Sequence, residues 1–167
     1  LVVPGVPAGS AIAIENGDYA ADETAPQMIA EGFRNFDLNS GQITLSFDET
    51  IDRNSLNSAL ITLASSHRGV SVANSYNFSL EVTNVVSTVD GTEIVFSVAT
   101  EELNAIKLNI NLCTLQQNCY IQYQIGMVRD MAGNAIEASA TEAPAGIIGN
   151  TLSSFTTSAT TTHGPAA

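Results

Sequence analysis

The chain of 167 residues is acidic but sparsely charged, with 5 Lys and Arg against 17 Asp and Glu and a formal net charge of −12. Phosphate backbones and anionic membrane surfaces are bound by clustered cations, so the composition argues against both as partners. The sequence has no apolar run of the roughly 20 residues that a membrane-spanning helix requires. At 44% hydrophobic residues, it is long enough for one domain with a core and an additional segment.

Residues 1–21 form an N-terminal extension with strand character. Residues 10–15, SAIAIE, place β-branched apolar residues on alternate positions, which is the pattern of a strand that joins a sheet. That sheet is either the chain's own or that of a neighbouring copy, and the sequence leaves both open. Because neither a Met nor a basic segment precedes Leu1, we expect a processed mature chain. The apolar residues expected to make assembly contacts are Val2, Val3, Val6, Ile12 and Ile14.

Short strand signals recur through the middle of the chain, separated by Gly, Asn, Asp and Ser. In residues 42–47, Ile43, Leu45 and Phe47 alternate with polar residues, as expected for a sheet with one buried face. The DG pair at residues 90–91 predicts a two-residue hairpin turn in which Gly adopts a positive φ. The predicted strands cover residues 42–47, 59–63, 76–82, 85–89, 93–98 and 119–128.

One short helix is predicted among the strands, over residues 101–108. Thr100 is expected to cap its N-terminus, with acidic residues in the first turn and Lys107 near the end. Leu103 and Ile106 share a face, so the helix should lie across one end of the sheets. Beyond it, residues 133–134 (GN) predict a tight turn with positive φ, and residues 137–150 predict a long connection.

Four short strings occur in a fixed order along the chain: DETAP at 22–26, GQITLSFDETID at 41–52, DMAGN at 130–134 and SFTT at 154–157. In this order they resemble the bacterial Ig-like modules of surface-layer and adhesion proteins. The resemblance implies an all-β fold, an Ig-like antiparallel β-sandwich with one short helix, over residues 22–158. Residues 1–21 then form an extended N-terminal segment, and residues 159–167 a tail containing Ser, Thr and Pro. Such modules act as spacers or adhesive stalks and have no enzymatic activity of their own.

The only two cysteines, Cys113 and Cys119, are close enough in sequence to form a disulfide across a turn. A zinc site would need further ligands, and neither His67 nor His163 has a metal-binding spacing relative to them. The disulfide predicts an oxidising compartment, so we expect the protein to be secreted, outside the cell or at its surface.

Two kinds of covalent glycan site are suggested by the sequence. Asn77 begins the sequon NFS, which arises readily by chance in a chain of this length. The Ser/Thr-rich tail offers O-linked positions at Thr160, Thr161 and Thr162, with a solvated terminus as the alternative interpretation.

Acidic residues near one end of the module are candidates for calcium binding. They are Asp22, Asp48, Asp52 and Asp130, although no loop has the ligand spacing of an EF-hand and acidity can simply provide solubility. Catalysis has little support, because both histidines lie outside any nucleophile motif and no Trp is present to stack on a sugar ring. We therefore expect no enzymatic activity and no cofactor apart from calcium or covalent glycans.

Two functional hypotheses from different classes follow from these features. In the first, the chain is the structural subunit of an extracellular filament, and each copy donates its N-terminal strand to the next. Such a head-to-tail contact does not close on itself, so it generates a linear homopolymer. In the second, the chain is an adhesion or ligand-binding Ig-like module of a larger cell-surface protein.

Overall fold

The computed structural model describes residues 15, 17–66, 77–80, 83–139 and 154–156. Several predicted features lie outside these residues, namely the donor-strand positions Val2, Val3, Val6, Ile12 and Ile14, the tail positions Thr160, Thr161 and Thr162, and the histidines His67 and His163. Across the described part of the chain, the only helices are too short or too polar to cross a membrane.

The described residues are mostly β-structure, arranged in two small sheets with one α-helix. The first sheet has the order β5-β6-β2-β1-β8 and the second the order β4-β3-β7. All strand pairs are antiparallel except β1 with β8, which is parallel. The elements are β1 (Met28–Asp37), β2 (Gln42–Ile51), β3 (Ile61–Ala64), β4 (Asn77–Ser79), β5 (Thr83–Val85), β6 (Gly91–Val98), α1 (Thr100–Leu108), β7 (Tyr120–Tyr123) and β8 (Ser154–Thr156).

The predominantly antiparallel β-fold with one short helix confirms the coarse prediction. Strand β2 carries the clearest pattern, since Ile43, Leu45 and Phe47 are buried at alternate positions and Ile51 is buried at the same parity. The buried cluster also takes in residues of the second sheet, including Leu63, so one core is shared by the strands of both sheets. Burial of these apolar side chains is the main term that stabilises the fold.

Strand β1 was not bounded by the sequence analysis, because its apolar residues do not alternate regularly. Met28 pairs with Phe47 and Phe33 with Leu45, so β1 uses five steps where β2 uses two. The extra residues form an irregular bulge in which Glu31 has a φ of 60°. A bulge of this kind hides the period of two on which strand recognition depends.

Some strands are shorter than predicted because residues at their predicted ends form turns instead. Residues Ser58–Leu60 form a 3-10 turn, so β3 begins at Ile61 and not at residue 59. Strand β7 begins at Tyr120 and ends at Tyr123, where Gly126 (φ 81°) and the hydrogen bond from Met127 N to the Gln124 carbonyl oxygen start a turn. Of the predicted strand 76–82 the structure describes residues 77–80, and β4 covers Asn77–Ser79.

The hairpin around residues 90–91 has the predicted antiparallel pairing but not the predicted turn. Strand β5 lies at Thr83–Val85 and not at residues 85–89, and Val85 pairs with Phe96 of β6. The ladder stops there because the backbone N–H groups of Val86 and Ser87 both donate to the carbonyl oxygen of Val95. Gly91 does not adopt a positive φ and instead begins β6.

The helix forms where it was predicted, with a different N-cap. Ala99 occupies the N-cap position without a side-chain hydrogen bond, and Thr100 is the first helical residue, so the prediction of a Thr100 cap was wrong. Leu103 and Ile106 are buried as expected. A Cβ placed on Gly41 would lie 3.1 Å from Cδ2 of Leu103, so the helix packs over the end of the first sheet where β2 begins.

Candidate functional site

Three carboxylates converge at the end of the first sheet where β2 finishes. Asp22, Glu49 and Asp130 each offer a carboxylate oxygen, and these oxygens all lie within 4.8 Å of one another. Asp22 is exposed, Glu49 is half-buried and Asp130 is only 3% exposed. We refer to this group as the acidic cluster.

Each carboxylate of the acidic cluster is positioned by a different part of the fold. Glu49 lies on β2, on the same face as the buried Phe47 and Ile51. Asp130 is held beside β2 by an isolated antiparallel bridge with Ile51. Asp22 belongs to the stretch without regular secondary structure that precedes β1.

Asn134 fixes the buried carboxylate of Asp130 through two hydrogen bonds. Its backbone N–H donates to Oδ1 of Asp130 at 2.8 Å, and its side-chain amide donates to Oδ2 at 2.7 Å. Burial on its own would raise the pKa of Asp130, but the hydrogen bonds from Asn134, Gly133 and Ala132 together outweigh it and lower the pKa. Gly133 has the predicted positive φ, 95°, which lets the chain turn back onto Asp130.

The same side chain connects the buried carboxylate to the N-terminal side of the module. Nδ2 of Asn134 also donates to the backbone carbonyl oxygen of Asp22 at 3.1 Å. A second attachment lies nearby, where Asp48 accepts a hydrogen bond from Gln27 N at 2.8 Å and its own N–H donates to the Gln27 carbonyl oxygen at 3.0 Å. Together these contacts fasten residues 22–27 to β2 and to the 130–134 turn.

The pKa of Glu49 is shifted in the opposite direction to that of Asp130. Its pKa is raised, first by desolvation and then by repulsion from Asp130, Asp22 and Asp48. A carboxylate among like charges is stabilised by protonation or by a nearby cation. The acidic cluster is therefore an arrangement whose repulsion a cation can relieve.

The acidic cluster contains two of the four predicted calcium candidates and one residue that the sequence analysis missed. Asp22 and Asp130 are brought together, whereas Asp48 bonds Gln27 and Asp52 accepts a hydrogen bond from Asn54 N at 2.9 Å, at the start of the 3-10 turn Arg53–Ser55. Glu49 could have been recognised from its position, because it stands at the core-facing parity of β2 between Phe47 and Ile51.

The donor set suits a hard divalent cation. Calcium takes six to eight oxygen ligands at about 2.3–2.6 Å, so two oxygens bound to one ion lie up to about 5 Å apart. The spacing of the three carboxylates is within that limit. They supply only part of the coordination, and backbone oxygens or water would complete it.

The predicted disulfide is present between Cys113 and Cys119, and both cysteines are fully buried. The short loop that it closes is reinforced by Asn118, whose Oδ1 accepts from Leu115 N at 2.8 Å and whose Nδ2 donates to Oγ1 of Thr114 at 2.8 Å. The loop between the cysteines is therefore cross-linked covalently and by side-chain hydrogen bonds.

The predicted N-glycosylation residue, Asn77, is the first residue of β4, where its backbone pairs with Ala64 of β3. Strand β4 is at the edge of the second sheet. The sequon therefore begins on an edge strand, while the O-linked candidates of the tail lie beyond the residues that the structure describes.

Comparison with known proteins identified no relative of this chain. No protein-family model matches it, and it has no significant match among curated proteins or solved structures.

Proposed function

We propose that the chain is a structural subunit of an extracellular filament or surface fibre, in which the N-terminal strand of one copy is donated to the Ig-like domain of the next. The observation that carries the proposal is the exposure of the segment that leads out of the module. Every residue from 17 to 24 is exposed, and Tyr19 is 74% exposed. Among the described residues, Pro26 is the first that is buried. An exposed segment with an aromatic side chain is suited to contact a neighbour.

The strand order supports an Ig-like sandwich as the receiving domain. The run β1-β2-β6-β5 corresponds to the A-B-E-D order of an Ig sheet, and β4-β3-β7 corresponds to the C′-C-F order of the opposite sheet. The shared buried cluster is what two sheets packed face to face would produce. The last strand departs from the constant-type order, since β8 lies beside β1.

The attachment at Asp22 supports a defined point of departure for the donated segment. Asn134 holds the backbone of Asp22, and Gln27 pairs with Asp48, whereas the described residues 17–21 before this attachment are exposed. In the proposed filament, the residues before that point pair with a neighbouring copy. We include calcium in the proposal at this point, because a cation bound by the acidic cluster would stiffen the exit of the segment.

The alternative is an adhesion or ligand-binding module of a larger surface protein. In that case the N-terminal segment is a linker or an additional strand of its own domain. Oligomeric state separates the two, because a module of this kind is a monomer that retains affinity for its ligand.

Deleting residues 1–21 tests the proposed function. The full-length chain should form filaments by negative-stain imaging, and the truncated chain should elute as a monomer on size exclusion. A finer comparison is Ile12→Asp with Ile14→Asp against Ala11→Asp with Ala13→Asp, which adds the same charge to the other face of the predicted strand. Only the isoleucine pair should abolish assembly. Filaments that persist without residues 1–21 would contradict the proposal.

A further inference from the structure

Three large aliphatic side chains between the end of α1 and the disulfide loop face solvent. Leu108 is 83% exposed, Ile110 is 78% exposed and Leu115 is 61% exposed. These three side chains define what we call the 108–115 surface. Three such side chains exposed within eight residues make this stretch a candidate interaction site.

The 108–115 surface is held on a rigid base. Asn109 N donates to the carbonyl oxygen of Ile106 at 3.0 Å, and Leu112 N donates to that of Asn109 at 3.1 Å. Leu112 and Cys113 in the same stretch are buried, and the disulfide closes the loop that carries Leu115. A surface fixed in this way loses little conformational entropy when a partner binds.

Charge is absent from this region of an otherwise acidic chain. No Asp, Glu, Lys, Arg or His occurs from residue 108 to residue 128, which is the longest such run among the described residues. Two copies that each carry a net charge of −12 repel one another, and the repulsion is weakest where both contacting segments lack charge. The first 14 residues also contain no charged side chain and are rich in Val, Ile and Ala.

The start of α1 and the acidic cluster, which includes Asp22, lie at opposite ends of strand β2. Strand β2 starts at Gln42, beside the end of β6 and the start of α1, and it passes Glu49 of the acidic cluster near its other end. Seven residues of extended strand separate Gln42 from Glu49, which is about 23 Å. Residues 1–14 can extend over roughly 45 Å, which is long enough to reach a neighbouring module.

We propose that the 108–115 surface of one copy is the acceptor for residues 1–14 of the next copy, so that successive copies join head to tail. This inference rests on the proposed function and adds the identity of the receiving surface. A contact between two different ends of identical subunits is heterologous and grows into an open chain. The apolar side chains of the donated segment then cover Leu108, Ile110 and Leu115.

Complementary variants of the full chain test the acceptor surface. Ile110→Asp with Leu115→Asp removes the acceptor and retains the donor, whereas Ile12→Asp with Ile14→Asp removes the donor and retains the acceptor. Each variant alone should be monomeric by sedimentation velocity, with self-association weakened roughly tenfold or more for each apolar side chain replaced. An equimolar mixture should form dimers and nothing longer, because only one productive contact remains. Val86→Asp with Val89→Asp is the control for added charge and should polymerise normally.

The outcomes distinguish the acceptor surface from the proposed function. If the acceptor variant polymerises like the unmodified chain while the donor variant does not, the 108–115 surface is wrong and strand donation stands. If the unmodified chain is a monomer, or the donor variant polymerises, the proposed function fails and this inference fails with it. Hydrogen exchange gives a second readout that needs no acceptor substitution. Amides of residues 108–118 should be protected in polymers relative to the donor-variant monomer, and equal exchange in both would overturn the inference.

Discussion

The side-chain amide of Asn134 donates a hydrogen bond to the backbone carbonyl oxygen of Asp22 at 3.1 Å, across a sequence separation of 112 residues. The same amide nitrogen also donates to the buried carboxylate of Asp130. The hydrogen bond to the charged carboxylate of Asp130 therefore orients the Asn134 side chain, which in turn holds the backbone of Asp22.

Replacing Asn134 with Ala should loosen this attachment. The substitution leaves the carboxylate of Asp130 without its side-chain donor, so the free energy of unfolding should fall. It also frees the backbone of Asp22, so limited proteolysis within residues 17–24 should be faster. Asn104→Ala, at an exposed position of α1, serves as the control and should change neither property adversely. Unchanged cleavage in Asn134→Ala would show that the amide does not hold the segment.

The raised pKa of Glu49 predicts that the stability of the protein depends on pH. Because its pKa is raised in the folded state, its contribution to stability is greatest below the ordinary value of 4.5 and is lost as the pH rises through the raised pKa. Asp130 acts in the opposite sense at lower pH, since its lowered pKa adds stability as the pH rises towards 3.8. The expected result is a melting temperature that falls above about pH 4.5 in chelator.

Calcium should reverse that fall at neutral pH by compensating the repulsion within the acidic cluster. Glu49→Gln should raise the melting temperature at pH 7 in chelator and remove most of the response to calcium. Glu137→Gln, an exposed residue outside the acidic cluster, is the matched control. A calcium response of equal size in both variants would exclude the acidic cluster as the binding site.

Removing the disulfide should destabilise the module moderately. Closing a loop as short as the one from Cys113 to Cys119 is worth about 2 kcal/mol on the loop-entropy estimate. Urea unfolding of the Cys113→Ala, Cys119→Ala double variant should show a loss near this size. The unmodified protein under reducing conditions is the parallel measurement, and a loss seen in only one of the two would point to a packing effect of the alanines.

Gly32 should be the least tolerant glycine among those described. A Cβ there would lie 2.6 Å from the Ser46 carbonyl oxygen and 2.7 Å from that of Ile29, both of which are backbone atoms. Gly32→Ala should therefore cost about 1 to 3 kcal/mol of unfolding free energy. Gly91→Ala, whose nearest neighbouring atom is 4.0 Å away, should be close to neutral. Similar losses in both would refute the steric explanation.

Glycosylation at Asn77 is a prediction of the sequence that intact-mass analysis can decide. Protein purified from its native source should lose one glycan mass on Asn77→Gln. Ser79→Ala removes the sequon without changing the asparagine and should give the same loss. A native mass equal to that of the bare chain would contradict the prediction.

The sequence predicted the parts of the fold that local chemistry controls. The alternation of Ile43, Leu45 and Phe47 specifies a strand with one buried face, and the short spacing of Cys113 and Cys119 makes a disulfide accessible. Strand β1 escaped prediction because its bulge is stabilised by pairing with β2 and leaves no regular period. The turn at residues 90–91 was misread because Asp90 accepts a hydrogen bond from Arg53 N, a contact between distant segments.

The acidic cluster was likewise predictable only in part from the sequence. Composition and the strings DETAP and DMAGN marked Asp22 and Asp130 as acidic residues of interest, and strand parity could have added Glu49. Only the tertiary structure determined that these three carboxylates meet, while Asp48 and Asp52 bond their local neighbours instead. The sequence by itself determined the alternating strand β2, the disulfide and the charge-free segments, because these depend on residues close together in the chain. The acidic cluster and the hydrogen bond from Asn134 to Asp22 join residues that are far apart in the sequence. Only the tertiary fold brings such residues together, so the tertiary structure was needed to find these contacts.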